Sequence, residues 1–163
     1  MEIISITEIW RWFRWLPKLI LKRIFKKERL SDLVYIDIKP RGDSARVQLS
    51  EDSSYSIHFQ IINMTPFEIE LDRAEFHFNF AGTGINNKHL RKYNIKSGQI
   101  FDLLVTDSID GDKANIISKL QKDNESSVVV YCVFNCLLHS FEKQDIHLNG
   151  INVKFAGPRL NNT

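Results

Sequence analysis

Histidine, cysteine and clustered aspartate are the residue types in this 163-residue chain with chemistry to offer. His58, His77, His139 and His147 are imidazoles that distant strands can bring together around a metal or a proton-transfer site. None shows metal-ligand spacing such as two histidines on one helical face. Alternation puts His58, His77 and His147 at outward positions and His139 at a strand end, so all four are expected on the solvated surface. Cys132 and Cys136 lie four apart on one expected strand, which at about 3.3 Å per residue separates their α-carbons by about 13 Å, too far for a disulfide. They share a face with Val130, Phe134 and Leu138, so both are expected as buried thiols, and a nucleophilic role lacks a placed base.

Asp107, Asp110 and Asp112 carry the oxygen ligands of a calcium loop but lack the glutamate at the far end that a helix-loop-helix site requires. They read better as the start of a helix, with Asp107, Ser108 or Asp110 capping it. Arg41-Gly42-Asp43 reads as a turn. Asn63-Met64-Thr65, Asn124-Glu125-Ser126 and Asn161-Asn162-Thr163 spell glycosylation acceptors that a cytosolic domain does not present to the transferase. Gly82-Thr83-Gly84 lacks the third glycine and the following helix of a nucleotide loop. No catalytic residue, metal or cofactor is expected from these sets.

The elements that must position any function divide the chain at about residue 30. Residues 1–30 read as a basic amphipathic helix. Ser5-Ile6-Thr7-Glu8 fits a capping box, with Ile4 and Ile9 as its hydrophobic staple. At 100° per residue Ile9, Phe13, Leu16, Ile20 and Ile24 share one face, flanked by Trp10, Trp12 and Leu19. Arg11, Arg14, Lys18, Lys22, Lys26 and Arg29 fall opposite. Arg23 and Lys27 land on the apolar side near its end, so the clean stripe stops around residue 22 unless their stems snorkel. Pro17 predicts a kink, or a second helix that begins with Pro17 in its first turn.

A transmembrane span is not expected, because Glu8, Arg11, Arg14 and Lys18 interrupt every apolar window of sufficient length. A secretory signal is excluded because the charge lies within and after the apolar run rather than before it. Reduced cysteines agree with this, and a cytosolic location is expected. Trp10, Trp12 and Trp15 suit the headgroup layer, and each nearby Lys or Arg adds about 1 kcal/mol at an anionic surface. Residues 1–29 hold eight cations against three acids, a net +5; the whole chain carries +2, leaving −3 for residues 30–163. Contact with an anionic bilayer must therefore come through the arm. Nucleic acid suits the arm less well, since its apolar face would go unused.

From residue 33 the period becomes strand-like. Tyr55, Ile57, Phe59 and Ile61 alternate with Ser56, His58 and Gln60, and Asn63-Met64-Thr65-Pro66 closes that strand. Phe76, Phe78 and Phe80 alternate with His77 and Asn79 before a turn or bulge at Gly82 and Gly84. Further strands are expected at Val34 to Ile38, around Val47 and Leu49, and near 95–105. Val128 to Leu138, apolar on both faces, is expected at the centre of a sheet. Ile146 to Phe155 changes register at Asn149-Gly150, signalling a tight hairpin or a bulged final strand. Asp112 to Gln121 is helical in spacing. The expected fold is all-β: an immunoglobulin-like antiparallel β-sandwich of seven or eight strands with one short helix, occupying residues 31–158 and followed by a flexible tail at 159–163.

A strand ending in Asn63 with Pro66 close by, then Phe76 to Phe80, a glycine pair, Ile95 before Gly98, the strand to Val105, a short helix and two closing strands make up a recognisable order. Over Tyr55 to Phe155 it resembles the late embryogenesis abundant, water-stress and hypersensitive-response (WHy) type of β-sandwich, with Met64-Thr65 inserted between an asparagine and a proline that are usually adjacent. The resemblance implies a non-enzymatic module, often attached to membranes.

The functional expectation is a non-enzymatic protein on the cytosolic face of a membrane. Ile9, Trp10, Trp12, Phe13, Trp15, Leu16 and Ile20 would enter the interface while Arg11, Arg14, Lys18 and Lys22 meet anionic headgroups. The sandwich would recruit a protein or lipid partner. The alternative is an assembly subunit whose helix docks into a partner protein or self-associates.

Overall fold

The computed structural model describes residues 17–40, 44–122 and 125–157, with backbone alone for 144–147. Two short helices, α1 (Lys18–Ile24) and α2 (Lys27–Asp32), lead into β1 (Val34–Ile38), β2 (Ala45–Gln48), β3 (Ser54–Asn63), β4 (Ile69–Phe80), β5 (Thr83–His89), β6 (Tyr93–Ile95) and β7 (Ile100–Ser108). Helix α3 (Gly111–Leu120) then precedes β8 (Ser127–Cys136), β9 (Ser140–Leu148) and β10 (Lys154–Ala156).

The strands form two five-stranded sheets. In the first, β3 pairs with β7 on one side and with β1 and then β2 on the other, and β10 extends from β2. In the second, β4 pairs with β8 on one side and with β5 and β6 on the other, and β9 lies outside β8. The inward residues of β3 and β4 fill the space between the sheets: Tyr55 lies 5.0 Å from Phe78 and Phe59 4.8 Å from Phe76 between ring centroids. Phe76, Phe78 and Phe80 stack along β4 at 5.7 and 5.5 Å, the period of 2 having put every phenylalanine on one face. Rings so buried contribute about 3 kcal/mol or more each, which anchors the two sheets in register.

The all-β sandwich expected from alternation is present, with several differences. Ten strands occur among the described residues rather than seven or eight, because β6 and β10 are three residues long, too short to show a period. Strand β4 begins at Ile69, well before Phe76, since the register shift between Leu71 and Arg73 interrupts its alternation. The chain is neither a hairpin nor a bulged strand after β9. It turns at Gly150 (φ +61°), crosses to the other sheet and adds β10 parallel to β2, so the pairing is not antiparallel throughout. Gly157 closes this crossing: its φ is +115°, and a Cβ there would stand 2.8 Å from the Leu49 carbonyl oxygen. Strand β8 is central as expected, yet only one face is buried, the other being half-buried at Val129, Tyr131 and Val133. The β4–β5 hairpin turns on Ala81 (φ +50°) and Gly82 (φ +87°), the two positive φ values that suit a two-residue connection.

Residues 17–30 do not form the end of one long helix separate from the sandwich. The helix ends at Ile24, restarts at Lys27, and α2 runs to Asp32 across the expected boundary. Leu21, Phe25 and Leu30 are buried in the common core. Residues 1–16 and 159–163 lie outside the described residues, as does Arg41-Gly42-Asp43.

Candidate functional site

Pro17 opens α1: its carbonyl accepts from Ile20 N at 2.9 Å and Leu21 N at 3.2 Å, while its own missing amide costs a first turn nothing. A helix does begin here, but with Pro17 at its N-cap (ψ 138°) rather than in its first turn. Leu21 and Phe25, four apart, share the inward face. The Phe25 ring packs edge-on against Phe67 of the β3–β4 loop, centroids 5.3 Å apart, and the Arg29 guanidinium sits 5.5 Å from the Phe25 centroid. Phe25 leaves helical geometry (ψ 76°) and Lys26 is extended, so the chain bends before α2. That helix is tied down by Leu30, by Ser31 Oγ donating to the Glu142 carbonyl at 2.8 Å, and by Lys143 Nζ donating to the Ser31 carbonyl at 2.7 Å.

Anchoring through Leu21 and Phe25 turns the opposite face of α1 outward. Leu19 is 82% exposed and Ile20 46%. Lys18, Lys22 and Arg23 are exposed on the same helix, and Lys26, Lys27 and Arg29 are exposed in the bend and α2 that follow, with Glu28 the one acid between residues 17 and 29. Of the residues expected at an interface, Lys18, Ile20 and Lys22 therefore reach solvent together. Ile9, Trp10, Arg11, Trp12, Phe13, Arg14, Trp15 and Leu16 lie outside the described residues. Arg23, expected to disturb the apolar stripe, does not, because the stripe that packs is Leu21–Phe25 and not Ile20–Ile24; Ile24 is half-buried.

The end of the sandwich that carries α1 is held by a knot around Asn63. This residue is fully buried, donating from Nδ2 to the Phe67 and Ile95 carbonyls at 2.8 and 2.9 Å and accepting at Oδ1 from Thr65 N and Oγ1 at 2.9 and 2.7 Å. Gly98 N donates to the Asn63 carbonyl at 2.7 Å, and Met64 N to the Leu33 carbonyl at 2.9 Å, which ties the knot to the end of α2. The Asn63-Met64-Thr65 sequon is thus consumed inside the fold.

The titratable residues do not converge. His58 faces outward from β3 and His77 from β4, on different sheets, the latter donating from Nδ1 to Asn86 Oδ1 at 2.7 Å. His139, expected in solvent, is half-buried in the β8–β9 turn with Nε2 inaccessible. The side chain of His147 is outside the described residues. Cys132 is buried, and burial pushes its thiol up to about 12; Cys136, also expected in the core, is only half-buried at the strand end. Asp110 occupies the N-cap of α3 but makes no side-chain cap bond, and Asp107 accepts from Asn87 Nδ2 at 3.1 Å, so the expected capping role is not filled by either carboxylate. Among the described residues no group of three or more His, Cys, Asp or Glu is placed to hold a metal ion. An open cleft of about 690 Å³ between α2 and β9 is lined by Lys27, Glu28, Ser31, Asp32, Phe141 and Glu142, with Ser31 Oγ committed to a backbone carbonyl.

His89 is a residue the sequence reading passed over. Its Nε2 lies 3.2 Å from the Tyr93 hydroxyl with the rings stacked, and Arg91 covers the other aromatic at 5.4 Å. Burial and the nearby Arg91 charge lower its pKa. The alternation Thr83, Ile85, Asn87, His89 was the available signal, diluted by the polar residues in it.

No family model matches the chain, and no curated protein matches it. Among solved structures, the X-ray structure of Northeast Structural Genomics Consortium target SoR45 is 12% identical, with a TM-score of 0.51 over 81% of this chain and 92% of that one. A protein from Archaeoglobus fulgidus is 8% identical, with a TM-score of 0.39 over 71% and 94%. The SoR45 likeness shows a shared fold and nothing of function. No helix among the described residues is long and apolar enough to cross a membrane.

Proposed function

We propose that this protein is a non-enzymatic module attached peripherally to an anionic, cytosol-facing membrane surface through its N-terminal segment, with an immunoglobulin-like sandwich of the WHy type recruiting a further protein or lipid partner. The observation that carries this reading is the two-sided α1. One side locks into the core through Leu21 and Phe25, while Leu19 and Ile20 are exposed with Lys18, Lys22 and Arg23 on the same helix and Lys26, Lys27 and Arg29 follow exposed in the bend and α2. Leucine leaving water contributes about 2 kcal/mol, and each cation close to anionic lipid about 1 kcal/mol, so the described part alone supplies a workable interfacial contact. The tryptophans Trp10, Trp12 and Trp15 precede it in the chain and extend the same chemistry. The WHy reading draws support from Asn63, Ile95 and Gly98, three residues of the resemblance that meet in one hydrogen-bonded knot.

Flotation of the full chain with vesicles tests the reading. Binding to vesicles containing phosphatidylserine, with little binding to phosphatidylcholine alone and release at high salt, is the expected result. A chain that stays in the dense fraction and forms salt-resistant oligomers would instead make α1 a protein-docking helix.

A further inference from the structure

We propose that the whole end of the sandwich beside α1, and not the N-terminal segment alone, is the membrane-contacting surface, so that the strands stand upright on the bilayer with α3 at the far end. The proposal rests on the membrane reading above and adds its second contact and its orientation. Strand register fixes which residues share that end: Val34 pairs with Asn63, Ile62 with Ile100, and Ile69 with both Ile95 and Cys136. The β8–β9 turn follows Cys136 directly, and the Phe25–Phe67 contact seats α1 beside the β3–β4 loop at the same end.

Five large apolar side chains exposed among the described residues lie there, against Leu90 and Leu104 elsewhere on the sandwich and Ile116 and Leu120 on α3. Leu19 and Ile20 come from α1, Leu137 from the β8–β9 turn at 68% exposure, and Tyr35 and Ile100 from the row of the first sheet that passes through Ile62. Tyr35 has the Lys143 ammonium 6.0 Å from its ring, an amphipathic pair of the kind suited to a headgroup layer. None of these residues is needed for the core, which is complete beneath them.

Charge selects the occupant and the orientation. Six exposed cations lie at this end against Glu28, Asp32, Glu68 and Glu142, whereas the opposite end exposes Glu51, Asp52, Asp110, Asp112 and Glu125 against Lys113, Lys119 and Lys122. An anionic lipid surface attracts the first end and repels the second, so one upright orientation is favoured.

Photo-crosslinking decides it. The full chain is bound to vesicles of phosphatidylcholine and phosphatidylserine carrying a diazirine in the acyl chain, and adducts are mapped by mass spectrometry. Adducts at Leu137 and Ile100 as well as at α1, with none on α3, are expected, and Leu137→Glu should weaken vesicle partitioning about tenfold while Ile116→Glu on α3 leaves it unchanged. Adducts confined to residues 1–25, or a Leu137→Glu chain that partitions like the parent, would overturn the upright orientation while leaving the membrane reading intact. Failure of the parent chain to bind would overturn both.

Discussion

Asn63 shows what a single buried amide does here. It satisfies two carbonyls and is itself satisfied by Thr65, so replacing it leaves several polar groups stranded in a dry site. Asn63→Ala should cost about 3 kcal/mol in a denaturant titration, whereas Asn79→Ala on the exposed face of β4 should cost under about 0.5 kcal/mol. Three ionisable groups give the fold a pH signature. Burial first, and the Asp107 charge second, push the Tyr55 phenol up to about 12, and burial does the same for Cys132. Both folded values exceed the unfolded ones near 10 and 9, so stability is complete below about pH 9 and falls as pH rises toward 12. His89 acts on the other limb: its lowered pKa means the unfolded chain takes up the proton first, so stability falls as pH drops below about 6.5. His89→Gln should flatten that acid limb in a series of melts, and an unchanged limb would contradict the assignment. Sequence alone pointed to Asn63 as a turn residue, yet its amide geometry depends on Ile95, 32 residues away, and no local pattern encodes that meeting.

At the scale of elements, periodicity was readable wherever a strand was long and unbroken. Strand β3 and the second half of β4 follow their alternation residue by residue, and α3 falls within a residue of its helical spacing. It failed where the chain resets its phase. A single helical wheel drawn through Pro17 put Ile20 and Ile24 at the centre of the apolar stripe. The helix that follows Pro17 and stops at Ile24 packs through Leu21, with Phe25 just beyond its end, since the Phe67 ring and the core beneath decide which face is covered. This division of labour predicts a clean separation of effects. Phe25→Ala should lose about 3 kcal/mol of stability by leaving a cavity. The double change Leu19→Asp and Ile20→Asp should leave the melting temperature within a few degrees of the parent and remove most of the vesicle-bound fraction. A double variant that binds vesicles as well as the parent would show that α1 is not part of the interface.

At the scale of the whole molecule, six exposed cations of residues 17–29 sit at one end of a packed sandwich. Net charge was legible in the sequence as a basic arm on a mildly acidic body. The fold adds that the described part of the arm is fixed to one end by buried side chains rather than hung on a linker, because Leu21, Phe25 and Leu30 belong to the common core. A rigid mount transmits orientation, which a flexible tether does not. The measurement that meets the central claim most directly is the vesicle partition coefficient of the full chain against the mole fraction of phosphatidylserine, at low and high salt. The account predicts a steep rise with anionic lipid that flattens as salt screens the six cations of residues 17–29. Partitioning that is negligible at every composition, or equal for neutral and anionic vesicles, would contradict it.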